Sequence, residues 1–171
     1  MKSDKIIKLV TTSLMAAMTC VVTMMIPIKI PLGNGGYIHP GDAFVLLSGI
    51  ILGPVYGAFA AGIGSMLADI FVGYPFFWIT LIIKALAAIV GAQVYRNIRK
   101  RPVIYAGIFG GVVVTLGYFI FESIMFGFAG ALVGVPFNII QNIFGIILSS
   151  ILLPVLLQIP QIKGLMSDNK S

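Results

Sequence analysis

Gly35-Gly36-Tyr37-Ile38-His39-Pro40-Gly41-Asp42 is the stretch that divides this chain. It packs the sole histidine and one of five acidic residues among glycine and proline. Long apolar runs lie on both sides of it. Of the 171 residues 59% are hydrophobic and 9% charged, with a mean hydropathy of +1.09. A soluble domain of this size carries about a quarter charged residues, so this chain has too little polar surface to cover itself with. The composition therefore predicts an integral membrane protein. The apolar runs are helical in length, and no alternating strands of about ten residues are present, which excludes a barrel. The expected fold is an all-α bundle of six transmembrane helices in one domain, 1–171, with residues 27–40 forming a lid loop after the first helix.

Working outward, the first helix is expected over about 5–26 and ends at Pro27 and Pro31. It is roughly 33 Å long, enough to cross the hydrocarbon core. Lys2, Lys5 and Lys8 stand before its apolar run as in a signal peptide, but no small-x-small cleavage site follows, so the helix is expected to be retained. After the quoted stretch come helices over about 42–52, 55–72, 76–94, 104–126 and 136–157. Gly53-Pro54, Gly73-Tyr74-Pro75, the basic loop 96–101 and a connection 127–135 separate them, and a polar tail from Lys163 to Ser171 closes the chain. Nine of the eleven basic residues (Lys2, Lys5, Lys8, Arg96, Arg99, Lys100, Arg101, Lys163 and Lys170) then share one side, which the positive-inside rule makes cytoplasmic. The lid would face outward. The formal charge of +6 sits in these short clusters and is read as a topology signal, with no nucleic-acid surface. Cys20 is the sole cysteine, and no metal site or cofactor is expected.

Ionisable groups inside spans are expensive and mark function by default. Here they are Asp42, Asp69, Lys84 and Glu122. Counting about 1.5 Å per residue from the helix ends puts Asp69 and Glu122 in the outer third and Lys84 near the midplane. Asn138, Gln141 and Asn142 fall within about 9 Å of Pro136, in the outer half. Neighbouring helices run in opposite directions, so this agreement in depth points to one outward-facing polar site. Asn138, Gln141, Asn142 and Gly145 share a helical face, as do Phe77, Thr80 and Lys84. Tyr37, Trp78 and Tyr118 lie at the same level, where aromatics stack on a planar ring. The expected site is Tyr37, His39, Asp42, Asp69, Trp78, Lys84, Tyr118, Glu122, Asn138, Gln141 and Asn142. Plainer readings stay open: Lys84 as a structural ion pair with Asp69 or Glu122, Asp42 and Glu122 as wetted interfacial carboxylates, Trp78 as a belt aromatic, His39 as an ordinary loop residue.

Small residues form a second pattern. Gly53, Gly57, Ala61 and Ser65 recur every fourth position, as do Gly107 and Gly111. Such stripes let helix backbones approach closely. The first helix carries Ser13 with Ala17 and Ala16 with Cys20. On a terminal helix such a stripe either packs internally or faces a partner.

Together, the six helices, the helix-one small residues, Tyr37-Ile-His-Pro-Gly-Asp42, the run Leu52-Gly-Pro-Val-Tyr-Gly-Ala-Phe-Ala-Ala-Gly-Ile-Gly-Ser-Met-Leu-Ala-Asp69 and Leu81-Ile-Ile-Lys84-Ala-Leu-Ala-Ala-Ile-Val-Gly91 resemble the substrate-binding S component of an energy-coupling factor (ECF) vitamin transporter. The pattern is similar to the branch associated with hydroxymethylpyrimidine, pyridoxine and riboflavin. The resemblance implies capture of a vitamin beneath the loop after helix one, within the cell membrane of a prokaryote. It also implies partnership with a transmembrane scaffold (T) subunit and two cytoplasmic ATPases, and docking on the scaffold through Ser13, Ala16, Ala17 and Cys20.

No Gly-x-x-x-x-Gly-Lys-[Ser/Thr] loop is present, so ATP hydrolysis is expected in partner subunits and no enzymatic activity in this chain. Three carboxylates against one lysine favour a neutral or weakly cationic ring, of the pyridoxine, pyridoxamine or hydroxymethylpyrimidine type, with riboflavin as the alternative. A standalone proton-coupled transporter using Glu122 or Asp69 is the reading of another class.

Overall fold

A computed structural model describes residues 2–29 and 36–168. Pro31 and Gly35, which the loop reading used, lie outside the described residues. The elements are α1 (Lys2–Met25), β1 (Ile28–Lys29), β2 (Tyr37–Ile38), α2 (Asp42–Val72), α3 (Phe77–Asn97), α4 (Pro102–Leu156) and α5 (Pro160–Asp168). The first four helices are long and apolar enough to cross a membrane. Their surfaces are inside out relative to a soluble protein. Phe71, Phe128 and Ile124 are exposed, while Asp42, Asp69, Lys84 and Glu122 are buried. That is the pattern expected where the surrounding solvent is hydrocarbon.

Two of the long helices double back on themselves. Gly53 has φ 83 and ψ 178, and Gly127 has φ 80 and ψ 162; neither fits a helix, and both lie where side-chain-bearing residues are disfavoured. Pro54, lacking an amide hydrogen, fits directly after the first break. The arms run antiparallel. A Cβ on Gly57 would strike Gly49 Cα at 2.6 Å, and one on Gly111 would strike Asn142 at 2.8 Å. The small-residue stripes are therefore internal packing surfaces within these helical hairpins.

Arm 42–52 of α2 is the axis of the fold, and every residue from 41 to 53 is buried. Gly49 sits against the Ala88 backbone of α3, and Leu46, Leu47, Ile50 and Ile51 share a core with Met15 of α1, Ala106 and Leu153 of α4, and Leu165 of α5. Gly64 on the longer arm meets Ala16 and Thr19 of α1.

Several boundaries differ from the sequence reading. Residues 128–135 are helical, where a connection is expected. Phe128-Ala-Gly-Ala-Leu-Val-Gly-Val135 has no breaker after Gly127, and Pro136 sits inside the helix. The tail expected to be polar contains α5, whose Ile162, Leu165 and Met166 cover the Gly53 end of the axis. Their three- and four-residue spacing is the amphipathic signal that a reading by composition passes over. The segment before α2 carries a short antiparallel hairpin, with Ile28 opposite Ile38 and Lys29 opposite Tyr37.

Candidate functional site

The two arms of α2 differ in length, and this sets the site. Asp42 lies eleven residues from Gly53, about 16 Å along the axis, whereas Asp69 lies sixteen residues away, about 24 Å. Asp42 is thus the deeper carboxylate. Lys84, at 1% exposure, approaches Asp42 Oδ1 at 2.5 Å, while Gln141 Nε2 donates to Asp42 Oδ2 at 2.8 Å. Of the partners expected for Lys84, neither Asp69 nor Glu122 is the one paired. The reason is geometric: the short arm carries Asp42 down to the level of Lys84. The other end of Gln141 accepts the His39 backbone N–H at 2.9 Å. A continuous chain of bonds therefore runs from the loop to the buried ammonium.

The loop is held a second time from above. Tyr37 OH donates to Asp69 Oδ1 at 2.5 Å. Burial first, then the negative Asp69 carboxylate, pushes the Tyr37 hydroxyl far above its ordinary range, so it keeps its proton and acts as donor. His39 Nδ1 accepts the Gly41 N–H at 3.1 Å. Burial lowers the imidazole to about 4, with Asp42 opposing and Lys84 assisting that shift, so His39 is neutral near pH 7. Tyr74 closes the side, also pushed upward by burial ahead of the Glu122 and Asp69 charges.

These groups enclose one cavity. Gly36, Tyr37, His39, Asp69, Tyr74, Lys84, Tyr118, Glu122, Gly134, Asn138 and Gln141 line it, beneath the loop. Eight of the eleven expected site residues are among them, and Asp42 supports Lys84 from behind. Two are elsewhere. Trp78 is half exposed and stacks edge-on against Phe121 at 5.4 Å. It lies six residues before Lys84, about 240° round α3, so a shared level does not give a shared face. Asn142 donates to Gly111 O at 2.9 Å and Thr115 Oγ1 at 3.0 Å, tying the arms of α4 together one turn below Asn138. It lines two neighbouring cavities and not this one.

Gly36, Tyr74 and Gly134 were missing from the expected set. A Cβ on Gly134 would lie 2.7 Å from Glu122 Oε2. Its spacing with Gly130 is a small-residue signal hidden by reading 127–135 as a loop. Thr80, itself buried, braces Tyr118 of the wall, with Oγ1 2.8 Å from Tyr118 OH.

On α1 the two candidate docking pairs separate. Cys20 is buried and Ala16 faces Gly64, whereas Ser13 and Ala17 are exposed beside Leu14, Met18 and Val21.

The family model described as "ECF-type riboflavin transporter, S component" matches residues 3–158. An "Uncharacterized protein in gap 3'region" of Pyrococcus woesei is 35% identical over 130 residues, covering 75% of this chain and 86% of that protein. The "Thiamine precursor transporter HmpT" of Lactococcus lactis subsp. cremoris is 26% identical over 157 residues, 91% of each chain. The solved "Structure and mechanism of the S component of a bacterial ECF transporter" is similar in fold, with a TM-score of 0.69 at 24% identity over 88% of this chain and 95% of that one.

Proposed function

Because this chain belongs to the ECF-type riboflavin transporter S-component family, matched over residues 3–158, we propose that its cavity captures a small ring-containing vitamin or precursor of the pyridoxine, pyridoxamine or hydroxymethylpyrimidine type. As an S component the chain is a membrane-embedded substrate-binding subunit of a transporter. The observation that carries the ligand reading is the set of polar groups around the cavity. Asp69, Glu122, Asn138 and Gln141 stand among Tyr37, Tyr74 and Tyr118, and the one ammonium, on Lys84, is already committed to Asp42. A ring can stack on the tyrosines while its edge bonds to the amides and carboxylates. An anionic ligand would meet two carboxylates and a cation held by a third. The relative named as a thiamine precursor transporter supports a vitamin-precursor ligand.

Riboflavin is the second reading, favoured by the family description.

In this reading the arms of α2 and α4 count separately, giving six membrane segments in one domain, with residues 27–40 as an outward lid and both termini cytoplasmic. Ligand enters while the hairpin is raised; Tyr37–Asp69 and His39–Gln141 close it. Uptake is driven by two partner ATPases through a T subunit. The exposed Ser13–Ala17 face of α1 is the docking surface, because Ala16 and Cys20 are spent on internal packing. Mass spectrometry of small molecules co-purified with the detergent-solubilised protein tests the proposal. A single-ring vitamin or precursor is expected; a folate or a peptide in its place would refute it.

A further inference from the structure

Asp69 is asymmetric in its use. Its Oδ1 accepts the Tyr37 hydroxyl, whereas Oδ2 is buried with no hydrogen-bond partner among the described residues. The residue is 4% exposed and lines the cavity. Thr80 is a second protein hydroxyl near this carboxylate; its Oγ1 lies 2.8 Å from Tyr118 OH and makes no hydrogen bond to Oδ2. A buried carboxylate oxygen without a donor is costly, and such a group in a binding cavity is satisfied by what binds there.

We propose that Asp69 is the specificity-determining group of the cavity, using Oδ2 to read a hydrogen-bond donor of the aromatic-amine class on the ligand while Oδ1 latches the hairpin through Tyr37. The inference rests on the cavity being a vitamin site. An exocyclic amine on a heteroaromatic ring gives a donor to Oδ2 and places a ring-nitrogen acceptor beside it, for which Lys84 or Asn138 of the same wall can donate. A flavin edge is the wrong pattern, since its single N–H is flanked by two carbonyl oxygens that would face the carboxylate. One carboxylate serving both roles also ties recognition to closure: a ligand that draws Asp69 into position positions the acceptor for Tyr37.

The test is titration calorimetry on the solubilised protein with a matched pair of probes. These are 4-amino-5-hydroxymethyl-2-methylpyrimidine and the same pyrimidine without its amino group. The wild-type protein should prefer the aminated probe by about 10- to 100-fold, the value of one hydrogen bond to a charged group. Asp69→Asn should collapse that ratio. Tyr37→Phe should weaken both probes by a similar factor and leave the ratio unchanged, because it removes the contact to Oδ1 and not the one made by Oδ2. Equal affinities in the wild-type protein overturn the inference, and so does a ratio that survives Asp69→Asn. If Asp69→Asn does not fold, Glu122→Gln decides instead: a ratio that survives it leaves Asp69 as the reading group, and a ratio that collapses overturns the inference. Tight binding of riboflavin, with neither pyrimidine bound, would leave the vitamin site standing and remove the role given to Asp69. Failure to bind any vitamin would remove both.

Discussion

Replacing Lys84 alone should harm the bundle more than removing its whole ion pair. Lys84 is 1% exposed, its Nζ lies 2.5 Å from Asp42 Oδ1, and the other side-chain donor to Asp42 among the described residues is the Gln141 amide at 2.8 Å. Lys84→Met strands a carboxylate in the centre of the protein with one neutral donor. Breaking a buried pair in this way costs about 3–5 kcal/mol, whereas exchanging both partners for neutral groups is near neutral. Asp42→Asn with Lys84→Met keeps an oxygen acceptor for Gln141 and leaves no buried charge at the pair. At about 2–4 °C per kcal/mol for a chain of this size, the single variant should lower the apparent melting midpoint in detergent by roughly 6–20 °C. The double variant should recover most of that loss. Lys84 also lines the cavity, so the double variant should regain stability without regaining ligand affinity. A double variant as unstable as the sum of the two singles would refute the coupling. Recovered affinity would refute the ligand role of Lys84.

Ala17→Trp, on the exposed face of α1, should abolish uptake in reconstituted vesicles while binding by the isolated subunit stays within about twofold; equal loss of both would argue against docking there. Gly64→Val places a side chain into the Ala16 backbone and Thr19, so it should lower the melting midpoint where Ala17→Trp does not. Acidification should weaken binding through His39, whose imidazole is lowered to about 4 with the hairpin closed and returns toward 6.5 when it opens. Between those values the open state binds more protons, so closure is favoured as pH rises and weakened as it falls. The loss can reach about tenfold per pH unit. His39→Asn, offering an oxygen to the Gly41 N–H, should flatten that part of the profile, and an unchanged slope would point to another group.

The sequence carried much of this site because burial of charge in hydrocarbon is so costly that each such residue must have a purpose. Depth alone groups Asp69, Lys84, Glu122 and Gln141, and the four line one pocket. Depth does not give azimuth, which is why Trp78 was grouped with a cavity it turns away from. Nor does it resolve one helical turn, which is why Asn142 was grouped with Asn138 although it clamps Gly111. The pairing of Lys84 with Asp42 depends on how far a short helical arm descends, a tertiary fact. The extra helix at 128–135 and the capping α5 were hidden because Pro136 and the polar residues 167–171 outweighed a periodicity only a few residues long.

The unequal arms of α2 make the chain a depth gauge. The floor of the well is wherever the eleventh residue before Gly53 falls, and its rim is set by the sixteenth residue after it. Well depth is thus written as a residue count, separable from the chemistry of the walls. A four-residue insertion in arm 42–52 would lift Asp42 by about 6 Å and turn it by about 40°, lodging the floor at the level of the rim. Moving the one glycine along the sequence would therefore change the depth of the well without a change in the kinds of side chain that form it.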